Sequence, residues 1–299
     1  MKDLVIGLAA GYDWATIEPF AVSLVRSGYV GAKVLFVRDI TSEARDHLLD
    51  LGFQLMYVSM PPDPRDVCVA RFLFIHNYLE EHPGYRFVIC SDVRDVIFQS
   101  DPTVWLACNI GGFKLVAASE QITHRDQTGN ATWVAQGFQE VASWMLPKMV
   151  YCSGFISGRA EYVADLSLGI YLAARHLPAD MNVGVDQPTY NSIVHQKPYA
   201  DVTLVPKLSD HYCINLHNMA NTSCRRRMTE IPDIAPFDNY GEPMMLNRSL
   251  MWNYGIPNLD CFAVLHQYDR IPQLKAQIQR EYCLANLDKP TLRILPTKF

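Results

Sequence analysis

The sequence predicts an α/β fold with a mostly parallel, doubly wound sheet. Short apolar runs alternate with amphipathic segments of helical period, short connections join them, and one central run is apolar enough to be buried on both faces. Strands joined in this way form right-handed parallel crossovers and belong to one sheet. The 299 residues, 49% of them hydrophobic, are sufficient for a large core, and we expect one domain over residues 1–299.

The first half of the chain is a regular strand and helix series. Strands are predicted over 3–9, 33–37 and 53–58, with helices over about 14–27, between Thr41 and Gly52, and over about 64–81. The first strand is followed by Ala10-Gly11-Tyr12-Asp13 and not by a GxGxxG turn, so a dinucleotide-binding site is not supported.

The second half is less regular. Strands are predicted over 113–118, 150–158 and 261–265, with helices over 137–146, about 159–175 and 271–282 and a loop over 121–132. Residues 218–250 have no clear period and contain three prolines, a composition typical of a lid, a binding loop or disorder. Three adjacent arginines, at 225–227, are expected either on a solvated surface or beside an anionic ligand.

Charge and composition exclude several classes of protein. The net charge of −5 gives no general attraction to nucleic acid or anionic membranes. The eight cysteines form no CxxC pair, and we expect reduced, buried thiols. The N-terminal stretch has no basic leader and enters a strand at once, and no apolar run reaches the length that spans a bilayer. We therefore expect a soluble, cytoplasmic protein without a transmembrane segment.

The central feature is the apolar run 86–91, which ends abruptly at Ser91-Asp92. Ligands of open α/β sheets bind at the carboxyl ends of the strands, so Asp92 and Asp95 lie where chemistry is expected. If the chain turns after Ser91, both carboxylates face one ion. Alternatively, both are turn residues that cap the following segment. Asp101-Pro102 predicts the start of a helix, with the acid as N-cap.

Residues 86–102, an apolar strand followed by SDVRD and VIFQSDP, resemble the DxD-like metal-binding element of GT-A fold glycosyltransferases. These enzymes have a Rossmann-like, mostly parallel sheet flanked by helices and use nucleoside-diphosphate sugars. The position usually held by an acid is Arg94 here, so Asp95 either replaces that acid as a ligand or pairs with Arg94. By the same resemblance, residues 1–120 are the nucleotide-binding part and 121–299 the sugar and acceptor part.

Three further stretches extend the resemblance. Cys152-Ser153-Gly154 is similar to the strand that approaches the donor sugar, Asp186-Gln187 to the element beside sugar and acceptor, and His266 to a late metal ligand. The implied roles are catalysis by Asp186; metal binding by Asp92, Asp95 and His266; nucleotide binding by Gly11, Tyr12, Arg71 and Ser91; and sugar or acceptor binding by Ser153, Gly154 and Gln187. Mn²⁺ or Mg²⁺ is the expected cofactor, since oxygen ligands with one imidazole suit these ions.

Structural alternatives remain for each of these residues. Tyr12 could equally be an exposed loop tyrosine with no ligand. The structural alternative for Arg71 is an ion pair with an acid such as Asp92, and for His266 it is a hydrogen-bonded histidine in the core. The alternative for Asp186 is a helix N-cap before Pro188. The alternative for Gly154 is a bulge in the strand or a close backbone approach.

The implied function is transfer of a sugar from a nucleoside-diphosphate sugar to a hydroxyl of a glycan or glycoconjugate. The late histidine of the resembling enzymes favours retention of configuration, in which Asp186 would be an electrostatic partner of the oxocarbenium-like sugar carbon. In an inverting reaction, Asp186 would instead act as the general base. One alternative is a sugar nucleotidyltransferase, although the loop at 9–14 lacks the basic residue that a triphosphate requires. The other is a non-catalytic nucleotide- or glycan-binding protein with aromatic platforms such as Trp133, Trp144 and Trp252.

Overall fold

The computed structural model describes residues 2–59, 64–178, 181, 184–225, 227, 259 and 262–289, and for residues 64–66, 222 and 225 the backbone only. Strands and helices alternate through most of this part of the chain. In chain order they are β1 (Lys2–Ala10), α1 (Trp14–Arg26), β2 (Ala32–Arg38), α2 (Ser42–Asp50), β3 (Gln54–Tyr57), α3 (Pro64–Glu81), β4 (Tyr85–Ser91), β5 (Val96–Phe98), α4 (Pro102–Asn109), β6 (Leu115–Thr123), α5 (Thr128–Gly137), α6 (Ala142–Met145), β7 (Met149–Arg159), α7 (Ala160–Ala174), α8 (Asp186–Val194), α9 (Tyr199–Val202), β8 (Thr203–Leu204), β9 (Cys213–Asn215), α10 (His217–Ala220), α11 (Thr222–Arg225), β10 (Val264–His266) and α12 (Pro272–Glu281).

The main sheet has seven strands in the order β3-β2-β1-β4-β7-β6-β8. Strand β7 runs antiparallel to its neighbours β4 and β6, and the other pairings in this sheet are parallel. Helices flank the sheet, which confirms the predicted α/β fold with a Rossmann-like, mostly parallel sheet.

The side chains of β4 alternate between two hydrophobic clusters, one on each face of the sheet. Phe87 and Ile89 belong to the cluster that includes Phe20 of α1, whereas Val88 and Cys90 belong to the cluster that includes residues of α3. Successive residues of a strand point to opposite faces, so a strand between two layers of helix is apolar throughout. This burial fixes the carboxyl end of β4, where the acidic residues begin.

The predicted helix starts are confirmed by their caps. The side chain of Asp13 accepts a hydrogen bond from the Thr16 amide at 2.9 Å, and Thr41 accepts one from the Ala44 amide at 3.2 Å. Asp101 accepts from the Thr103 amide at 2.8 Å, with proline at the first turn of α4. Each cap satisfies an amide that the helix itself leaves without a partner.

A second, three-stranded sheet has the order β5-β10-β9. Strand β10 is antiparallel to β5, with His266 opposite Val96, and parallel to β9, with His266 opposite Asn215. The predicted last strand, over 261–265, corresponds to β10, which belongs to this second sheet and includes His266 as its final residue. Strand β10 pairs with β5, the strand that directly follows the two acids, so His266 is brought to the acids through the second sheet.

Two further expectations are corrected. The predicted loop at 121–132 is the end of β6 followed by α5, and the predicted helix at 137–146 contains the end of α5 and the short α6. The Gln127 side chain, which accepts a hydrogen bond from the Asn130 amide at 2.6 Å, caps a helix rich in polar residues. Such a helix carries little of the apolar period on which sequence prediction depends.

The segment 218–250, for which the sequence predicts a lid, a binding loop or disorder, lies largely outside the described residues. Its first part is helical, in α10 and α11, while Arg226, Trp252 and Cys261 fall among residues that the structure does not describe. The cysteines of the described part are free thiols, as expected, but only some of them are buried: Cys90, Cys152 and Cys224 are buried, Cys68, Cys213 and Cys283 are partly exposed, and Cys108 is exposed. In that part of the chain, no helix is long and apolar enough to cross a membrane.

Candidate metal and nucleotide site

Three predicted ligands converge at the edge of the sheet. Asp92, Asp95 and His266 each offer an atom, and these three atoms lie within 4.8 Å of one another. The Nε2 atom of His266 is 3.6 Å from Asp92 Oδ2 and 3.6 Å from Asp95 Oδ1. The imidazole and Asp95 are buried, whereas 35% of the Asp92 side chain is exposed. The group is thus open to solvent on the Asp92 side.

Backbone hydrogen bonds fix the turn that carries the two acids. The Asp92 amide donates to the Gly154 carbonyl at 2.7 Å, which ties the turn to β7. The Gln267 amide donates to the Asp95 carbonyl at 2.7 Å, which ties the turn to the segment after β10. The chain therefore turns after Ser91, as the convergence of both acids on one point requires.

The hydrogen bonds of Asn215 determine which nitrogen of His266 carries a proton. The Asn215 amide group donates to the carbonyls of Ala118, at 3.4 Å, and Ser119, at 3.0 Å, so its oxygen faces the imidazole. His266 Nδ1 lies 2.8 Å from that oxygen and is therefore the donor. Among the residues that the structure describes, Nε2 has no hydrogen-bond partner.

An unpartnered, buried Nε2 facing two carboxylates requires positive charge between them. A neutral imidazole with its Nε2 lone pair directed at two anions would be repelled, so either a proton on Nε2 or a cation must be present. A nitrogen and two carboxylate oxygens are suitable ligands for Mn²⁺ or Mg²⁺, and a second hydrogen-bonding partner on the ligating histidine is typical of metal sites. The residues present therefore fit the divalent ion that the sequence predicts.

The pKa values of the three groups reflect the same proximity. Burial disfavours the charged form of each group. For Asp92 this effect is outweighed by Arg71 and His266, and for Asp95 chiefly by His266, so the pKa of each carboxyl is below its usual range. For His266 burial is outweighed by Cys152 and by the two carboxylates, which raise the imidazole pKa well above its usual value.

Arg71 connects Asp92, a predicted metal ligand, to Asp186, the predicted catalytic acid. Its guanidinium forms one ion pair with Asp92 and another with Asp186, where Nη2 lies 2.6 Å from Oδ2. The same nitrogen donates to the Ser153 carbonyl at 3.1 Å, and the Ser153 hydroxyl donates to Asp186 at 2.9 Å. Arg71 is thus paired with acids, the alternative that the sequence left open. Asp186 makes no side-chain cap at the start of α8.

A cavity of about 250 Å³ opens beside these residues. Its lining combines an aromatic ring, apolar side chains, acids and guanidinium groups: Leu8, Tyr12, Val67, Cys68, Arg71, Asp92, Val93, Arg94 and Asp95. A lining that contains an aromatic ring, aliphatic side chains, guanidinium groups and carboxylates suits a ligand with a planar base and phosphates.

Three predicted site residues have other contacts. The Ser91 hydroxyl donates to the Asp92 carbonyl at 2.7 Å, and Gly11 forms a turn with φ +71° in which its amide donates to Arg38. The resemblance gives Gly154 a role in sugar or acceptor binding. In the structure a side chain at residue 154 would collide with Asp92 and His266, so these two predicted metal ligands occupy the space beside this glycine.

A buried polar network, which sequence reasoning missed in part, supports Gln187. The Gln187 amide donates to Asn130 at 3.0 Å, and its oxygen lies 3.4 Å from the Ser153 amide. Glu120, 2% exposed, accepts a hydrogen bond from Asn218 at 2.9 Å. Burial raises the pKa of the Glu120 carboxyl, although neighbouring groups that include Gln187 oppose the shift. Glu120 follows an apolar run as Asp92 does, and that signal was present in the sequence.

Comparison with protein-family models and with curated protein sequences finds no match for this chain. The functional assignment therefore depends on the geometry of the site and on the sequence resemblance.

Proposed function

We propose that this protein is a metal-dependent GT-A fold glycosyltransferase that transfers a sugar from a nucleoside-diphosphate sugar to a hydroxyl of a glycan or glycoconjugate. The observation that carries the proposal is the unpartnered His266 Nε2, buried against Asp92 and Asp95 at the edge of a cavity with an aromatic wall. A mostly parallel α/β sheet is the fold that the resemblance implies, and its carboxyl edge is where nucleotides bind in such folds.

Asp92, Asp95 and His266 would hold the divalent ion. When bound, that ion supplies Lewis-acid stabilisation of the departing diphosphate. Without a cation, each carboxylate at about 5 Å from a phosphate charge would repel it by roughly 3 kcal/mol at an effective dielectric of about 20. Three protein ligands leave other coordination positions for phosphate oxygens and water.

Tyr12 and Arg71 have distinct roles in this proposal. Tyr12, half-buried in the cavity wall, stacks on the nucleotide base. Arg71 holds Asp92 and Asp186 in fixed positions and presents positive charge to the donor. Gly11 and Ser91 are not among the residues that line the cavity, so this proposal gives neither of them a direct contact with the nucleotide.

Ser153, Asp186 and Gln187 form the sugar end of the site. Asp186 is 4% exposed, and its Oδ2 atom accepts hydrogen bonds from both Arg71 and Ser153. A carboxylate so enclosed has poor access to an acceptor hydroxyl, which disfavours the role of general base. The electrostatic role, and with it retention of configuration, is therefore better supported. Gln187 is held by Asn130 and orients polar groups toward the sugar.

A thermal-shift screen tests the proposal. Nucleoside diphosphates and nucleotide sugars are added with and without Mn²⁺; a donor at about 100 times its dissociation constant should stabilise the fold by roughly 2.7 kcal/mol. We expect metal-dependent stabilisation by nucleotides of one base, and slow hydrolysis of the matching nucleotide sugar that is lost in Asp92→Asn. Asp46→Asn, on the exposed face of α2, is the control and should hydrolyse the donor as the wild type does.

Other results separate the alternatives. Hydrolysis that is equal in Asp92→Asn and the wild type would contradict the role of Asp92. Stabilisation without any turnover would favour a binding protein, and release of pyrophosphate from a nucleoside triphosphate and a sugar phosphate would favour a nucleotidyltransferase.

A further inference from the structure

Four charged side chains alternate in sign next to the proposed metal site. Arg94 Nη2 is 3.3 Å from Asp95 Oδ2, and Arg94 Nε is 3.4 Å from Asp269 Oδ2. Arg270 repeats the pattern, with Nη2 3.7 Å from Asp95 Oδ2 and Nη1 3.3 Å from Asp269 Oδ2. We call Arg94 and Arg270 the arginine pair.

Asp95 stands between this pair and the metal site. Its Oδ1 faces His266 Nε2, whereas its Oδ2 faces both guanidiniums. The arginine pair therefore approaches the same carboxylate that would hold the ion, from the other oxygen. Arg94 also lines the cavity with Tyr12, so at least one guanidinium of the pair faces the space where the ligand would bind.

The arginine pair retains capacity to bind an anion. The Arg94 and Arg270 side chains are 45% and 39% exposed, and their contacts with the acids measure 3.3 to 3.7 Å. Arg71, by contrast, is 15% exposed and is 2.6 Å from Asp186. A guanidinium has five N–H donors, and the contacts that these two arginines make with described residues are few and long, so a stronger acceptor such as a phosphate oxygen can compete for these donors.

We infer that Arg94 and Arg270 bind the diphosphate of the donor directly, as a second cationic group beside the metal ion. This inference rests on the proposed function and specifies it further: the ligand carries two linked phosphates, and the chain binds them even without a divalent ion. Arg94 takes the position usually held by an acid in the resembling element, so the chain exchanges a potential metal ligand for a phosphate-binding group.

Inorganic pyrophosphate is the probe, because it contains the two phosphates and no base or sugar. Its dissociation constant is measured by calorimetry in EDTA and in Mg²⁺, for the wild type and for Arg94→Gln/Arg270→Gln. We expect the wild type to bind pyrophosphate in EDTA, with affinity that falls as salt rises, and the double variant to bind it at least about tenfold more weakly. Arg45→Gln is the matched control, since Arg45 is also 45% exposed and ion-paired; its affinity should equal that of the wild type.

The Arg94→Lys/Arg270→Lys variant tests whether weaker binding by the double Gln variant results only from unfolding of the protein. It keeps both charges, and we expect it to recover part of the affinity in EDTA and to unfold at the wild-type temperature. Absence of wild-type binding in EDTA would overturn the inference, as would equal affinity of the double Gln variant and the wild type.

Asp92→Asn separates this inference from the proposed function. The proposed metal site predicts that Mg²⁺ strengthens pyrophosphate binding by the wild type and that this gain is lost in Asp92→Asn, while binding in EDTA persists. If Mg²⁺ gives no gain but binding in EDTA still depends on the arginine pair, the inference stands and the metal site is wrong. If the gain is present and the arginine variants bind normally, the inference is wrong and the metal site stands.

Discussion

Substitution of Gly154 by alanine should disrupt metal binding with little effect on the fold. A Cβ at residue 154 would lie 2.6 Å from His266 Cε1 and closer still to Asp92 Oδ2. Ordinary contact begins near 3.4 Å, so the imidazole would have to move by about 0.8 Å and the carboxylate by more. Neither group is a free side-chain end, since Arg71 holds Asp92 and Asn215 holds His266.

The expected magnitude follows from that displacement. Insertion of a methyl group into a packed site costs about 1 to 3 kcal/mol of folding free energy. A shift of about 1 Å in a ligand that must meet an ion costs roughly 100-fold in function, and we expect a loss of Mn²⁺ affinity of that size. The assay is the rise in melting temperature over a Mn²⁺ titration, combined with calorimetry of the metal.

Gly169→Ala is the matched control. Residue 169 lies in α7, where a Cβ would meet Ile193 at 3.6 Å, an ordinary contact. Alanine is favoured over glycine in a helix by up to about 1 kcal/mol, so this variant should keep full Mn²⁺ affinity and unchanged or greater stability. If Gly154→Ala binds Mn²⁺ as tightly as Gly169→Ala, the proposed ligand geometry is refuted.

Three further predictions follow from individual contacts. Asn215→Leu removes the acceptor for His266 Nδ1 and should weaken Mn²⁺ binding by about 10- to 100-fold in calorimetry; wild-type affinity would contradict the assigned tautomer. Asp101→Ala removes the N-cap of α4 and should lower the free energy of unfolding by about 1 kcal/mol in urea without changing Mn²⁺ affinity; an unchanged midpoint would contradict the cap. Burial, with His195 nearby, lowers the pKa of His124 to about 4, below an unfolded value of about 6.5, so the unfolded chain binds the extra proton between these pH values. Stability should therefore fall by up to about 3 kcal/mol as the pH drops from 6.5 to 4, and His124→Gln should show a correspondingly smaller fall.

The regular part of the fold is predictable because its signals are local. The caps Asp13, Thr41 and Asp101 mark helix starts, and the apolar run in β4 marks a strand buried on both faces. The prediction failed at α5, where polar residues form a helix capped by the side chain of Gln127. There the helix depends on hydrogen bonds that periodicity does not reveal.

The sequence predicted which three residues come together at the candidate metal site, but not how the fold brings them there. Asp92, Asp95 and His266 do meet, yet through a second sheet whose three-residue strands leave almost no period in the sequence. The contact that orients His266 comes from Asn215, at the end of one such strand. The resemblance also predicted a role in sugar or acceptor binding for Gly154. The sequence does not show how closely Asp92 and His266 approach that residue, since this proximity depends on how β7 packs against the turn after β4 and the end of β10.

Anomalous diffraction from crystals grown with Mn²⁺ tests the central claim most directly. We predict one strong peak, measured at the manganese edge, bounded by Asp92 Oδ2, Asp95 Oδ1 and His266 Nε2 and absent in crystals of Asp92→Asn. A manganese peak at another position would contradict the account. So would the absence of a peak at saturating Mn²⁺, with His266 still in direct contact with the two carboxylates.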